Sequence, residues 1–245
     1  MTARAAAYLS EVFTSVEGEG LFAGRPSTFV RFSGCNLDCS YCDTGYARQK
    51  QPVMLVRDGD TPGEVANPVG LEDLVALLCE SSSVAPTIVF TGGEPLLQAD
   101  FLGHAARLLK RLGFAVRLET NGTLPDALLS VRDTVDFVSV DLKLPSSQGG
   151  RSVFDAHRDF LRALRGLPAA VKVVLQKESG DAEISEALSL VASANRFLPV
   201  LLQPAFADLR PSVGADRMFH ALAAARLKLH DVRLSVQMHK VLGVR

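Results

Sequence analysis

The sequence predicts an α/β fold, a partial and open TIM-like (β/α) barrel, from three observations. Short β-branched runs recur from residue 71 onward, separated by amphipathic stretches, which is the rhythm of parallel strands joined by right-handed crossovers. A length of 245 residues suits one such domain without division. Polar and glycine-rich motifs fall where these runs end, and parallel βα folds bind ligands at the carboxyl ends of their strands.

In chain order, Thr28-Phe29-Val30-Arg31-Phe32 reads as an early strand. Residues 45–70 are rich in glycine and proline and lack periodicity, which reads as an insert or flap. A helix over 71–82 leads to the strand Thr87–Phe90, and a helix over 98–112 to Ala115–Leu118. A short helix precedes Val135–Val140, and a helix over 153–165 precedes Val171–Leu175. Helices over 182–196 and 215–229 lead to Pro199–Leu202 and Val232–Val236. This gives about seven strands and, with no repeat or linker visible, one domain over 1–245. Cys79, in Leu74-Val75-Ala76-Leu77-Leu78-Cys79, reads as part of an apolar helical face.

Composition narrows the partners. Basic and acidic residues number 26 and 27, so the broad basic face of a nucleic-acid binder is not expected; a small molecule is the expected partner. Hydrophobic residues make up 47%, yet no apolar run reaches the roughly 18 residues of a membrane span. Met1-Thr2-Ala3-Arg4-Ala5 lacks a signal-peptide pattern. A cytoplasmic setting, where thiols stay reduced, is expected.

The cysteines carry the chemistry. Cys35, Cys39 and Cys42 are spaced C-x3-C-x2-C, with Tyr41 before the last. A structural zinc site needs four ligands, and no fourth Cys or His has the usual spacing. A disulfide plus a spare thiol also fits three cysteines, but nothing else suggests a secreted protein. Three thiolates suit three irons of a [4Fe–4S] cubane, leaving the fourth iron open to a small ligand.

With this motif and Thr91-Gly92-Gly93-Glu94-Pro95 after a strand, the chain resembles the radical S-adenosylmethionine (radical SAM) superfamily. The resemblance implies a barrel of the radical SAM type, with the open iron chelating the methionine part of S-adenosylmethionine. It also implies cofactor contacts from Gly92, Gly93 and Glu94, these three at the methionine ammonium, and from Asp141, Lys143 and Gln203. Ser15-Val16-Glu17-Gly18-Glu19-Gly20, Phe29–Cys35, Asp43-Thr44 and the tail Val236–Arg245 narrow it further. Together they resemble the 7-carboxy-7-deazaguanine synthase family of the queuosine and 7-deazapurine pathway.

That resemblance implies an enzyme. One electron from the cluster splits S-adenosylmethionine, and the 5′-deoxyadenosyl radical takes hydrogen from C6 of 6-carboxy-5,6,7,8-tetrahydropterin. The ring then contracts with loss of ammonia. It further implies Mg²⁺ held by Thr44 and pterin contacts from Glu17, Glu19, Arg31, Thr91, Glu119 and His239, with no separate catalytic residue assigned. Arg31 offers a planar fork for the substrate carboxylate. A homodimer and an electron donor such as flavodoxin or ferredoxin are implied as well. The family commonly has Val-Ser-Pro-Lys where this chain has Val140-Asp141-Leu142-Lys143, which puts the ribose contacts in question. Two alternatives are a glycyl-radical-enzyme activating enzyme, which shares the cluster loop and Gly-Gly-Glu turn, and a non-catalytic metal-binding module, which leaves the strand-end motifs without purpose.

Overall fold

The computed structural model of the chain describes residues 5–57, 62–80, 84–207 and 210–244. Residues 1–4, the last two positions of the helix expected over 71–82, and Arg245 lie outside them. Ten strands form one open mixed sheet: β1 Leu9–Val16, β2 Pro26–Phe32, β3 Val53–Arg57, β4 Gly63–Ala66, β5 Thr87–Gly92, β6 Ala115–Thr120, β7 Phe137–Leu142, β8 Ala169–Leu175, β9 Val200–Pro204 and β10 Val232–Leu234. Their spatial order is β10-β9-β8-β7-β6-β5-β2-β1-β3-β4.

From β2 to β10 every neighbouring pair is parallel, so these seven strands are the expected half-barrel. The helices are α1 Leu71–Glu80, α2 Ala99–Arg111, α3 Pro125–Val131, α4 Phe154–Ala163, α5 Asp181–Asn195, α6 Ala215–Arg226 and the short α7 Met238–Leu242. Helices α1 to α6 pack side by side in chain order. Helix α2 shows why: Phe101, Leu102, Ala105, Ala106 and Leu109 are buried, the i, i+3, i+4 stripe of a helix laid on a core. Phe32 meets Phe90 and Phe101 edge-on, with centroids 5.7 and 6.2 Å away, a favoured aromatic geometry.

Three readings are corrected. The described residues of 45–70 carry sheet strands: β3 pairs parallel with β1, β4 pairs antiparallel with β3, and Val69–Gly70 pairs with Ala6–Ala7. The alternation of buried Met54 and Val56 with less buried Val53 and Leu55 is only four residues long, and glycines and prolines around it mask it. Strand β1, antiparallel to β2, went unread because Ser10, Glu11, Thr14 and Ser15 interrupt its apolar pattern. Cys79 is exposed, because α1 buries Leu74 and Leu78 and the next residue lies about 100° further round the helix.

Strand alternation then sets up the site. Val30 and Phe32 are fully buried, so Arg31 between them points to the opposite face.

Candidate active site

The opposite face of the sheet encloses a cavity of about 450 Å³, within the range of small-molecule sites. Every candidate cluster, cofactor, metal or substrate residue lines it except Glu94. Cys35, Cys39 and Cys42 sit together on its wall, each partly exposed and unpaired with another cysteine. Gln148 donates to the Cys39 sulfur at 2.9 Å, and the Leu37 amide to the Cys35 sulfur at 3.5 Å. Burial raises the pKa of Cys35 and Cys39. Among the described residues no three His, Cys, Asp or Glu side chains are grouped to hold one metal ion. A cubane asks instead for one thiolate per iron, which three separate thiols on one wall can supply.

The Gly-Gly-Glu turn does more for the fold than expected. Gly92 has φ +139°, and a Cβ there would strike the Phe32 backbone. A Cβ on Gly93 would overlap the Gly34 carbonyl oxygen. The Glu94 amide donates to that oxygen at 2.8 Å, so β5 and the start of the cysteine loop touch backbone to backbone. The Glu94 carboxylate, expected at the cofactor ammonium, is fully buried and aimed at the neighbouring strand end. It accepts from Thr120 Oγ1 at 2.8 Å, the Asn121 amide at 2.7 Å and the Leu96 amide at 3.0 Å. Burial outweighs those donors and pushes its pKa up to about 7.

The strand ends beside it carry a charge network. Asp141 Oδ2 meets Lys143 Nζ at 2.7 Å and Lys172 Nζ at 3.4 Å, while its Oδ1 is buried without a hydrogen-bond partner among the described residues. Lys143 also donates to the Tyr41 hydroxyl at 3.3 Å. Lys172 meets Glu19 Oε1 at 2.9 Å, and Gln203 Nε2 donates to Glu19 Oε2. Thr91 donates to Glu119 Oε2 at 2.7 Å, and burial raises the Glu119 pKa.

On the far wall, Arg31 Nε donates to Glu11 Oε1 at 2.9 Å and its guanidinium lies 5.5 Å from the Phe13 ring centroid. Glu11 is buried and also accepts from Tyr46 at 2.7 Å and from Arg57 at 2.9 Å. Glu17 accepts from Ser27 at 2.6 Å and pairs with Arg117; desolvation nonetheless raises its pKa. The ring of His239 packs directly on Gly18, where a Cβ would overlap it, and Lys240 pairs with Asp43 at 2.8 Å. Thr44 Oγ1 lies 3.8 Å from the Cys42 sulfur.

Glu11, Lys172, Arg117 and Gln148 went unread in the sequence. Lys172 had a usable signal, as the lone charge in Ala169–Leu175. Glu11 had a weaker one inside an unrecognised strand, and Gln148 had none.

The Radical SAM superfamily profile matches residues 29–184. The chain is 37% identical to the 7-carboxy-7-deazaguanine synthase of Geobacter sulfurreducens, over 97% of each chain. It is 39% identical to that of Methanopyrus kandleri, over 94% of this chain and 91% of the relative. The crystal structure of QueE from Escherichia coli superposes with a TM-score of 0.61 over 96% of this chain and 95% of that one, at 24% identity, a likeness of fold. The chain belongs to the radical SAM superfamily and, within it, to the 7-carboxy-7-deazaguanine synthase family.

Proposed function

We propose that this protein contracts the ring of 6-carboxy-5,6,7,8-tetrahydropterin to 7-carboxy-7-deazaguanine with loss of ammonia, as a carbon–nitrogen lyase. The observation that carries this is one cavity shared by three thiols, an arginine fork and a set of carboxylates. Cys35, Cys39 and Cys42 would hold the cluster, and the Gly92-Gly93-Glu94 turn with Asp141, Lys143 and Gln203 the S-adenosylmethionine. Bound together, these cofactors supply one-electron chemistry that takes a hydrogen atom from the substrate. The unpartnered Asp141 Oδ1 suits a hydroxyl donor such as a ribose, since a buried acceptor without a partner is costly.

The chain's own groups would bind and orient the pterin. Arg31, steadied by Glu11 and Phe13, offers its remaining guanidinium donors to the substrate carboxylate. Glu19, Glu119 and Glu17 suit the donor edge of the ring, with Thr91 and His239 beside them. Thr44 supplies one hydroxyl to Mg²⁺, whose other ligands would be substrate and water. A homodimer, a flavodoxin- or ferredoxin-type donor and a cytoplasmic setting complete the reading. The glycyl-radical alternative leaves this charged wall without a ligand.

Anaerobically reconstituted protein should carry about four irons per chain, as one cubane does. Given reductant, S-adenosylmethionine, Mg²⁺ and the carboxypterin, it should yield the deazaguanine. Production of 5′-deoxyadenosine with the pterin unchanged would overturn the substrate assignment.

A further inference from the structure

Lys172 has no place in the scheme above, yet it stands at its centre. It is the one charge on β8, between Val171 and Val173, both fully buried, and its own side chain is 14% exposed. An ammonium in such a place is costly unless paired, and here it is paired twice, to Glu19 at 2.9 Å and Asp141 at 3.4 Å. The register sets this up, because Lys172 lies directly opposite Asp141 across β7 and β8. Glu19 has no strand to hold it. It precedes the short turn Gly20–Phe22, and its two oxygens are held from outside that loop, by Lys172 and Gln203. The Lys172 charge also opposes the effect of burial on Glu119, more strongly than that of Arg31 does.

We propose that Lys172 is a positioning residue that holds Glu19 as the reader of the substrate's donor edge and, through Asp141, ties the substrate half of the cavity to the cofactor half. The proposal rests on the pterin reading above. Without Lys172, the carboxylates of Glu19, Glu119 and Asp141 line one cavity, and of the three Asp141 keeps the Lys143 ion pair. Glu19 then keeps Gln203 but loses its ion pair, and the site repels a substrate that itself carries a carboxylate.

The test is a double-mutant cycle on reconstituted holoenzyme, which isolates pairwise coupling when each variant keeps the fold. Binding of the carboxypterin is measured for the wild type, Lys172→Met, Glu19→Gln and the double variant, with S-adenosylmethionine affinity measured alongside. Lys172→Met should weaken pterin binding about tenfold in the wild-type background and less than threefold in the Glu19→Gln background, the size of coupling usual for contacting residues. Lys172→Arg should recover most of the loss. An equal loss in both backgrounds, or none, would overturn the proposal. If Lys172→Met fails to load iron, Lys172→Gln is read in the same cycle by the same criteria. A wild-type enzyme that makes deazaguanine while Lys172→Met binds pterin normally refutes only the role of Lys172. A wild type that never binds the pterin refutes the functional reading itself.

Discussion

The Nε2 atom of His157 accepts the backbone N–H of Lys143 at 3.0 Å. The other ring nitrogen, Nδ1, faces the Gly122 carbonyl at 3.0 Å, so the neutral Nδ1–H tautomer bridges the ends of β6 and β7. Gly122 has φ +67°, and a Cβ there would press on Val140 and the His157 ring. One buried imidazole from α4 thus fixes the spacing of two strand ends that line the cavity.

A pH prediction follows from that bridge. Burial lowers the His157 pKa from 6.5 to about 4, so its contribution is complete above pH 6.5 and is lost as pH falls toward 4. Glu94 has the opposite sign: its pKa is raised from 4.5 to about 7, so its contribution is complete below pH 4.5 and is lost as pH rises through 7. Each shift corresponds to about 3 kcal/mol, and over the shared window the two slopes oppose. Relative to wild type, His157→Gln should therefore gain stability at pH 5 compared with pH 7, and Glu94→Gln should do the reverse. Urea unfolding of the cluster-free protein at both pH values measures this. Parallel pH profiles for the two variants would refute the assignment.

Gly93→Ala should damage the cysteine loop without touching a cysteine. Its methyl would overlap the Gly34 carbonyl, the group that receives the Glu94 amide. Overpacking of this kind costs about 1–3 kcal/mol, and relief requires the loop before Cys35 to move. Iron content after reconstitution should fall well below that of wild type, with a lower melting temperature. Full iron loading with unchanged melting would show that the loop yields freely.

The difference between what the sequence shows and what it hides is physical. The seven parallel strands were legible because their apolar runs are bounded by turns and helices, and the cysteine triplet because ligands of one cluster are close in sequence. Glu11 and Lys172 act through partners 20 and 153 residues away, a separation no local pattern reports. Glu94 shows a second layer that no local pattern reports: its carboxylate accepts from Thr120 and Asn121 at the neighbouring strand end, and the glycines before it serve backbone packing.

Arg31 and Glu11 give a third prediction. Arg31→Lys keeps the charge but loses the planar fork and the Nε donor that reaches Glu11. The KM for the carboxypterin should rise about tenfold, with a smaller change in kcat. Glu11→Gln should raise KM by a smaller factor in the same direction, because Arg31 loses a charged anchor while keeping its own guanidinium. Steady-state kinetics at fixed Mg²⁺ checks both. Unchanged KM in Arg31→Lys would remove this residue from the carboxylate site.

Thr44 gives the fourth. Its hydroxyl lies on the cavity wall beside Cys42 and ahead of the short turn Gly45–Arg48, so it faces the region where cluster and substrate would meet. Among side chains, hydroxyls and carboxylates are the oxygen donors suited to Mg²⁺. The nearby Asp43 is already engaged by Lys240 at 2.8 Å, which lowers its pKa against the effect of burial and leaves Thr44 the freer donor. Thr44→Ala should keep full iron content, because its methyl fits the space of the removed group, while lowering the stimulation of turnover by Mg²⁺ several-fold. Thr44→Ser should restore it. The measurement is the ratio of rates with and without Mg²⁺ in each variant, and an unchanged ratio in Thr44→Ala would place the metal elsewhere.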